Sequence, residues 1–182
     1  DSTQVVHVVR DITERKRAEQ ALRESEAYLA EAQRLSHTGS WAFDVVRDRY
    51  VYASEECARI FEFDAQGDLP NREAISRLIH PEDWPGVSAA FEETLRDRVD
   101  TASEFRITLP SGTAKHVHAI RHPVLNATGE VVKIVGTVID ITERKAAEKE
   151  RDRLRQLEAD LAHINRVSLL GELTASIAHE VN

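Results

Sequence analysis

The chain has 182 residues, 41% hydrophobic and 31% charged, enough for one packed domain of about 100 to 150 residues with charged helices attached. Its formal charge of -8 argues against nucleic acid as a partner, because a phosphate backbone selects a basic face. No run reaches the roughly 18 apolar residues of a membrane span, and the lone Cys57 excludes an internal disulfide, so a reducing, cytoplasmic setting is expected. With no Met and a start at Asp1-Ser2-Thr3, the chain is expected to be a piece of a longer protein.

Near its start, "QVVHVVRDITERKRAE" (Gln4 to Glu19) foreshadows "KIVGTVIDITERKAAE" (Lys133 to Glu148), with "DITERK" identical in both. The separation far exceeds a solenoid period, so each copy is expected to close a whole domain. Within the first copy, an apolar β-branched run precedes Asp11 and Glu14, which have capping-box spacing. Thr13 to Leu35 then predicts a helix, with Ala18, Leu22, Ser25, Leu29 and Ala32 at coiled-coil spacing, thin in large side chains.

Gly39 to Ser54 predicts a β-hairpin: Trp41, Phe43 and Val45 recur at period two, a polar turn follows, and Tyr50 and Tyr52 resume the period. "SEECARIFEF" predicts a short helix capped by Ser54, with Cys57 a small core residue. Asn71 to Ile79 predicts another, and "HPEDWPGVSAAFEETLRD" a third, with Pro81 in its first turn and Glu82 and Asp83 at its positive end. Strands follow at Ala102 to Leu109, Ala114 to Leu125 and Val131 to Ile139, separated by the turns "PSGT" and "NATGE". Two strands, three short helices and three strands imply an α+β fold with one antiparallel sheet. Trp41, Tyr50, Tyr52 and Trp84 are candidates to line a cavity, though core packing explains them as well.

Asp140 and Glu143 repeat the capping-box spacing, so the last strand is expected to turn directly into a helix. No Gly or Pro interrupts Thr142 to Leu170, which predicts one continuous rod. Leu154, Leu157, Leu161 and Ile164 form a three-four-three seam that needs a partner. Beyond it the apolar phase shifts to Leu170, Leu173, Ile177 and Val181, which marks a junction between two bundles. His179 lies about 200° from both Ile177 and Val181 around the helix, opposite the apolar stripe.

Other histidines invite a metal reading. In "KHVHAIRH", His116, His118 and His122 share one strand face. Only His116 and His118 are close enough to chelate together, and they need further ligands from elsewhere. A polar strand face is the plainer reading, and no metal site is assigned. His80 is similarly a weak haem candidate.

"AQRLSHTGSWAFDVV", "IHPEDW", "EFRITLPSG" and "VVKIVGTVIDITERK", in that order, resemble a PAS domain of bacterial sensor kinases, over about Leu35 to Lys145. The resemblance implies a five-stranded antiparallel sheet with short helices across one face, flanked here by long coiled-coil-type helices. It implies a sensor of ligands, light or redox state, but names no cofactor; Cys57 lacks the context of the flavin photosensors. "LLGELTASIAHEVN" (Leu169 to Asn182) resembles the phosphoacceptor box of sensor histidine kinases. That likeness makes His179 the phosphoacceptor and Glu180 its acidic neighbour.

The implied organisation is a remnant last strand of an upstream PAS domain at 1–12 and a connector helix at 13–36. A PAS sensor at 37–142, a coiled-coil transmitter at 143–165 and the start of the phosphoacceptor helix at 166–182 complete it. Asp140, Thr142 and Glu143 would relay the signal into the helix. Two chains are expected to pair in parallel over Arg144 to Ile164, with a response regulator and ATP as partners of the parent kinase only. No Gly-rich nucleotide loop or Asp-x-Gly-x-Gly stretch occurs, so the chain is not expected to phosphorylate itself. The alternatives are a non-catalytic PAS dimerisation or ligand-binding module, a metal sensor using His116 and His118, and a PAS domain feeding a cyclic-dinucleotide cyclase.

Overall fold

A computed structural model describes the backbone of residues 2–64 and 67–180, and side chains over 14–64 and 67–163. A long helix α1 (Ser2–Leu35) precedes β1 (Thr38–Asp44), β2 (Arg49–Ala53), α2 (Glu55–Phe61), α3 (Arg72–Leu78) and α4 (Trp84–Asp97). Strands β3 (Thr101–Thr108), β4 (Ala114–Leu125) and β5 (Val131–Asp140) follow, and helix α5 (Thr142–Glu180) forms a separate unit. Every strand and helix expected between Gly39 and Ile139 is present.

The five strands form one antiparallel sheet in the order β2-β1-β5-β4-β3. β5, the last strand in sequence, therefore lies at the centre, where its apolar β-branched composition is best buried. Phe43, Ile107, Val117, Ile134 and Val138 project from the sheet into a core completed by Ile60 of α2 and by Val87 and Phe91 of α4. Two glycines make this packing possible. A Cβ on Gly39 would lie 2.6 Å from the Cα of Cys57, so α2 rests directly on β1. A Cβ on Gly136 would lie 2.4 Å from both the Trp41 ring and the Ile120 carbonyl oxygen, so the indole packs directly against β5.

Side-chain hydrogen bonds fix the helices. Ser54 Oγ accepts from the backbone N–H of Cys57 at 3.2 Å, the expected cap of α2, and from that of Ser40 at 3.0 Å. The hydroxyls of Thr94 and Thr101 share a hydrogen bond at 2.7 Å, and each oxygen lies 3.1 Å from the Ala90 carbonyl oxygen, which accepts from the hydroxyl left free to donate, tying the end of α4 to β3.

Three expectations change. The segment 1–12 was expected as a strand, but the backbone is helical from Ser2. All five strands of the sheet lie downstream of it, and an unpaired strand leaves its N–H and C=O groups unsatisfied, whereas a helix satisfies them locally. Second, Tyr50 and Tyr52 do not share a face. A bulge between Ala42 and Phe43 pairs Ala42 with Tyr52 but Phe43 with Tyr50, so Tyr50 turns inward and Tyr52 is 51% exposed. Third, α4 begins at Trp84 rather than at Pro81, with Asp83 as its N-cap residue but without a side-chain capping bond. The Asp83 carboxylate is held instead by Arg106, a stronger charge-assisted partner than a backbone amide.

Candidate functional site

Between the helices and the sheet lies a cavity of about 80 Å³. Its wall is mostly apolar and aromatic: Trp41, Tyr50, Phe61, Trp84, Phe91 and Phe105 all contribute. Trp41 and Phe43 pack edge-on to Tyr50, with centroids 5.7 and 5.2 Å away. Of the four aromatic candidates, Trp41, Tyr50 and Trp84 line the cavity, and the bulge removes Tyr52. Burial pushes the Tyr50 hydroxyl up to about 12, so it remains a hydrogen-bond donor at neutral pH. Cys57 also lines the wall, and burial pushes its thiol up to about 12, leaving a small apolar side chain rather than a nucleophile.

Two arginines reach the same wall. Arg121 of β4 is 4% exposed, and its Nη1 donates to Ser103 Oγ at 2.9 Å. Burial pulls its pKa below the usual guanidinium value. Arg72, the first residue of α3, sets its guanidinium carbon 4.3 Å from the centre of the Phe91 ring, a cation–π contact. Sequence reasoning passed over both. The signal for Arg121 is its parity with Val117 and Ala119, which turn inward on β4, whereas the histidines have the opposite parity.

The corner before α4 is a clamp. Asp83 Oδ2 accepts from the backbone N–H of Arg106 at 2.8 Å and from its Nε at 2.9 Å, while Oδ1 accepts from Nη2 at 2.7 Å. Glu82 accepts from the same Nη2 at 2.8 Å, and the His80 backbone N–H donates to the Arg106 carbonyl at 2.8 Å. These bonds hold the Asp83 carboxyl well below the ordinary carboxylate range and raise Arg106. His80 accepts from the Glu82 N–H through Nδ1 at 3.3 Å and is not among the residues lining the cavity, so its haem candidacy has no support in the geometry.

The histidines of β4 do share the face away from the core. His116 pairs with Arg106 across the sheet, His118 with Glu104, and His122 Nδ1 lies 2.7 Å from Asp100 Oδ1. Among the described residues, no group of three or more His, Cys, Asp or Glu is arranged to hold a metal ion.

At the connector, β5 ends at Asp140, whose Oδ2 lies 3.4 Å from Lys115 Nζ. The same Nζ donates to the Ile60 carbonyl at 3.3 Å, and the Ile141 N–H donates to the His116 carbonyl at 2.9 Å. Asp140 therefore joins β4 and the end of α2 as well as its own strand. Ile141 alone separates it from Thr142, the first residue of α5, and Glu143 lies in the first turn. The helix runs unbroken past Gly171 to Glu180. Leu154, Leu157 and Leu161 on it are 52%, 49% and 61% exposed, an uncovered apolar seam. His179 and Glu180 belong to this helix, and their side chains, with that of Ile164, lie outside the described residues. No described helix is long and apolar enough to cross a membrane.

Residues 50–138 match the family described as the PAS fold. A probable diguanylate cyclase of Escherichia coli (strain K12), DgcE, is 28% identical over 80% of this chain and 13% of its own length. A C4-dicarboxylate transport sensor protein of Rhodobacter capsulatus, DctS, is 33% identical over 46% of this chain and 12% of its own. The chain thus spans only a small part of these curated relatives. A crystal structure of a sensory box histidine kinase/response regulator from Burkholderia thailandensis E264 has a TM-score of 0.56 at 27% identity, covering 69% of this chain and 95% of that one.

Proposed function

We propose that this chain, which carries a PAS domain over residues 50–138, is the sensory and signal-transmitting part of a two-component sensor histidine kinase. The observation that carries the reading is the single helix α5. It leaves the central strand one residue after Asp140 and continues without a break to the phosphoacceptor-like His179 and Glu180. A change in the sensor alters the hold of Lys115 on Asp140, and the first turn at Thr142 and Glu143 passes that change into the helix. Transmission requires two discrete states of a paired helix, and the exposed seam Leu154, Leu157 and Leu161 fits a second copy of this chain in parallel.

At the far end the chemistry is phosphoryl transfer. A neutral imidazole presents a nucleophilic nitrogen, and the adjacent carboxylate orients the ring and takes its proton as the ATP γ-phosphoryl group is attacked. The ATP-binding domain and the response regulator belong to the parent protein.

The test supplies a histidine-kinase ATP-binding domain in trans with radiolabelled ATP. The chain is expected to acquire an acid-labile, base-stable phosphate, and His179→Gln to acquire none. Label that persists in His179→Gln, or never appears, sinks the reading. The match to a probable diguanylate cyclase favours a second reading, in which the same sensor and connector serve a cyclase output. The Leu169 to Asn182 stretch, with Ala-His-Glu at its heart, supports the kinase instead.

A further inference from the structure

We propose that the cavity binds a small monocarboxylate with an apolar body, its carboxylate docked on the guanidinium of Arg121. The assignment rests on reading the domain as a sensor and specifies what it senses. Arg121 is almost fully buried and faces the cavity, and its hydrogen-bond partner Ser103 is neutral. Among the described residues the groups acting on it are Ser103 and the Tyr50 phenol, neither of them a carboxylate. The cavity wall holds two arginines and neither Asp nor Glu, although the chain as a whole carries a formal charge of -8. A guanidinium stays protonated, and burying it without a counter-ion is unfavourable, so the site is poised to take up an anion. A carboxylate matches the guanidinium fork through two parallel N–H···O bonds. The Tyr50 hydroxyl, on the same wall, is a further donor.

Size and polarity narrow the class. The free room of about 80 Å³ sets a small ligand. Beyond Arg121 and Tyr50 the wall is dominated by Trp41, Phe61, Phe91 and Phe105, which suits an aliphatic or aromatic body. A second carboxylate would meet apolar surface, because Arg72 already stacks on the Phe91 ring.

The experiment titrates the purified chain by calorimetry with butyrate and benzoate, against butyramide, benzamide and succinate. Butyrate or benzoate is expected to bind saturably, with Kd of about 1 mM or tighter. The matching amide is expected to bind at least about tenfold more weakly. Arg121→Gln is expected to lose at least about tenfold in carboxylate affinity, with Arg121→Lys restoring part of it. Arg121→Met is expected to abolish binding while raising the thermal midpoint of the empty domain. Amide binding equal to acid binding, succinate binding more tightly than butyrate, or no saturable binding of either acid overturns the proposal. The amide comparison uses the unaltered chain and so stands even if an Arg121 variant fails to fold. Binding is read without kinase or ATP, so its failure leaves the His179 phosphotransfer result intact, and the converse holds.

Discussion

Replacing Asp83 by Asn tests whether the clamp before α4 is electrostatic. In the native domain three donors of one residue, Arg106, converge on this carboxylate at 2.7 to 2.9 Å. The Asp83 and Arg106 side chains are 22% and 39% exposed, so water screens part of the attraction. Hydrogen bonds to a charged group and a partly screened pair together suggest a cost of about 1–2 kcal/mol at pH 7. For a domain of this size each kcal/mol lowers the thermal midpoint by about 4–8 °C. The sign of the pH dependence follows from the depressed carboxyl pKa, set first by the Arg106 side-chain bonds and then by its backbone N–H. The contribution is complete above the unfolded value of about 3.9 and drains as pH falls toward the folded value. Urea unfolding followed by the fluorescence of Trp41 and Trp84 at pH 7 and pH 3 measures it. The gap between wild type and Asp83→Asn is expected to be full at pH 7 and clearly smaller at pH 3. A gap of equal size at both, or none at pH 7, refutes the electrostatic account.

Gly136→Ala is expected to destabilise the domain by about 1–3 kcal/mol, because the new methyl meets a backbone carbonyl and the Trp41 ring at 2.4 Å; urea unfolding reads this directly. In a spectrophotometric titration, the Tyr50 phenol is expected to ionise only at about 12, above the ordinary tyrosine value of about 10. Cys57 is expected to resist a thiol reagent in the native state at pH 8 and to react stoichiometrically in urea; rapid native labelling would contradict its buried, protonated state.

Local signals carried most of the fold. The period-two runs, the Ser54 cap and the "PSGT" and "NATGE" turns involve residues close in sequence, and each formed where its chemistry pointed. What escaped depended on distant partners. The first-copy segment at 4–9 has strand composition but no sheet neighbour to pair with. Asp83 has the spacing of a helix-start acid, yet Arg106, 23 residues on, takes its carboxylate. The bulge that separates Tyr50 from Tyr52 shows only in the register of β1 against β2. Arg121 was legible by parity, but polarity argued against placing it inside, and that conflict between pattern and residue type is the mark of a functional position.

Paired helices carry the signal in this account, and cysteine cross-linking tests that pairing directly. With Cys57→Ala removing the native thiol, Leu157→Cys on the seam and Ala159→Cys on the opposite face are oxidised separately and resolved by mass. A parallel pair predicts rapid formation of a disulfide-linked dimer at 157 and little at 159, since only facing positions bring Cα atoms within bonding range. A chain that stays monomeric, or cross-links equally at both positions, would contradict the route from the PAS domain to His179.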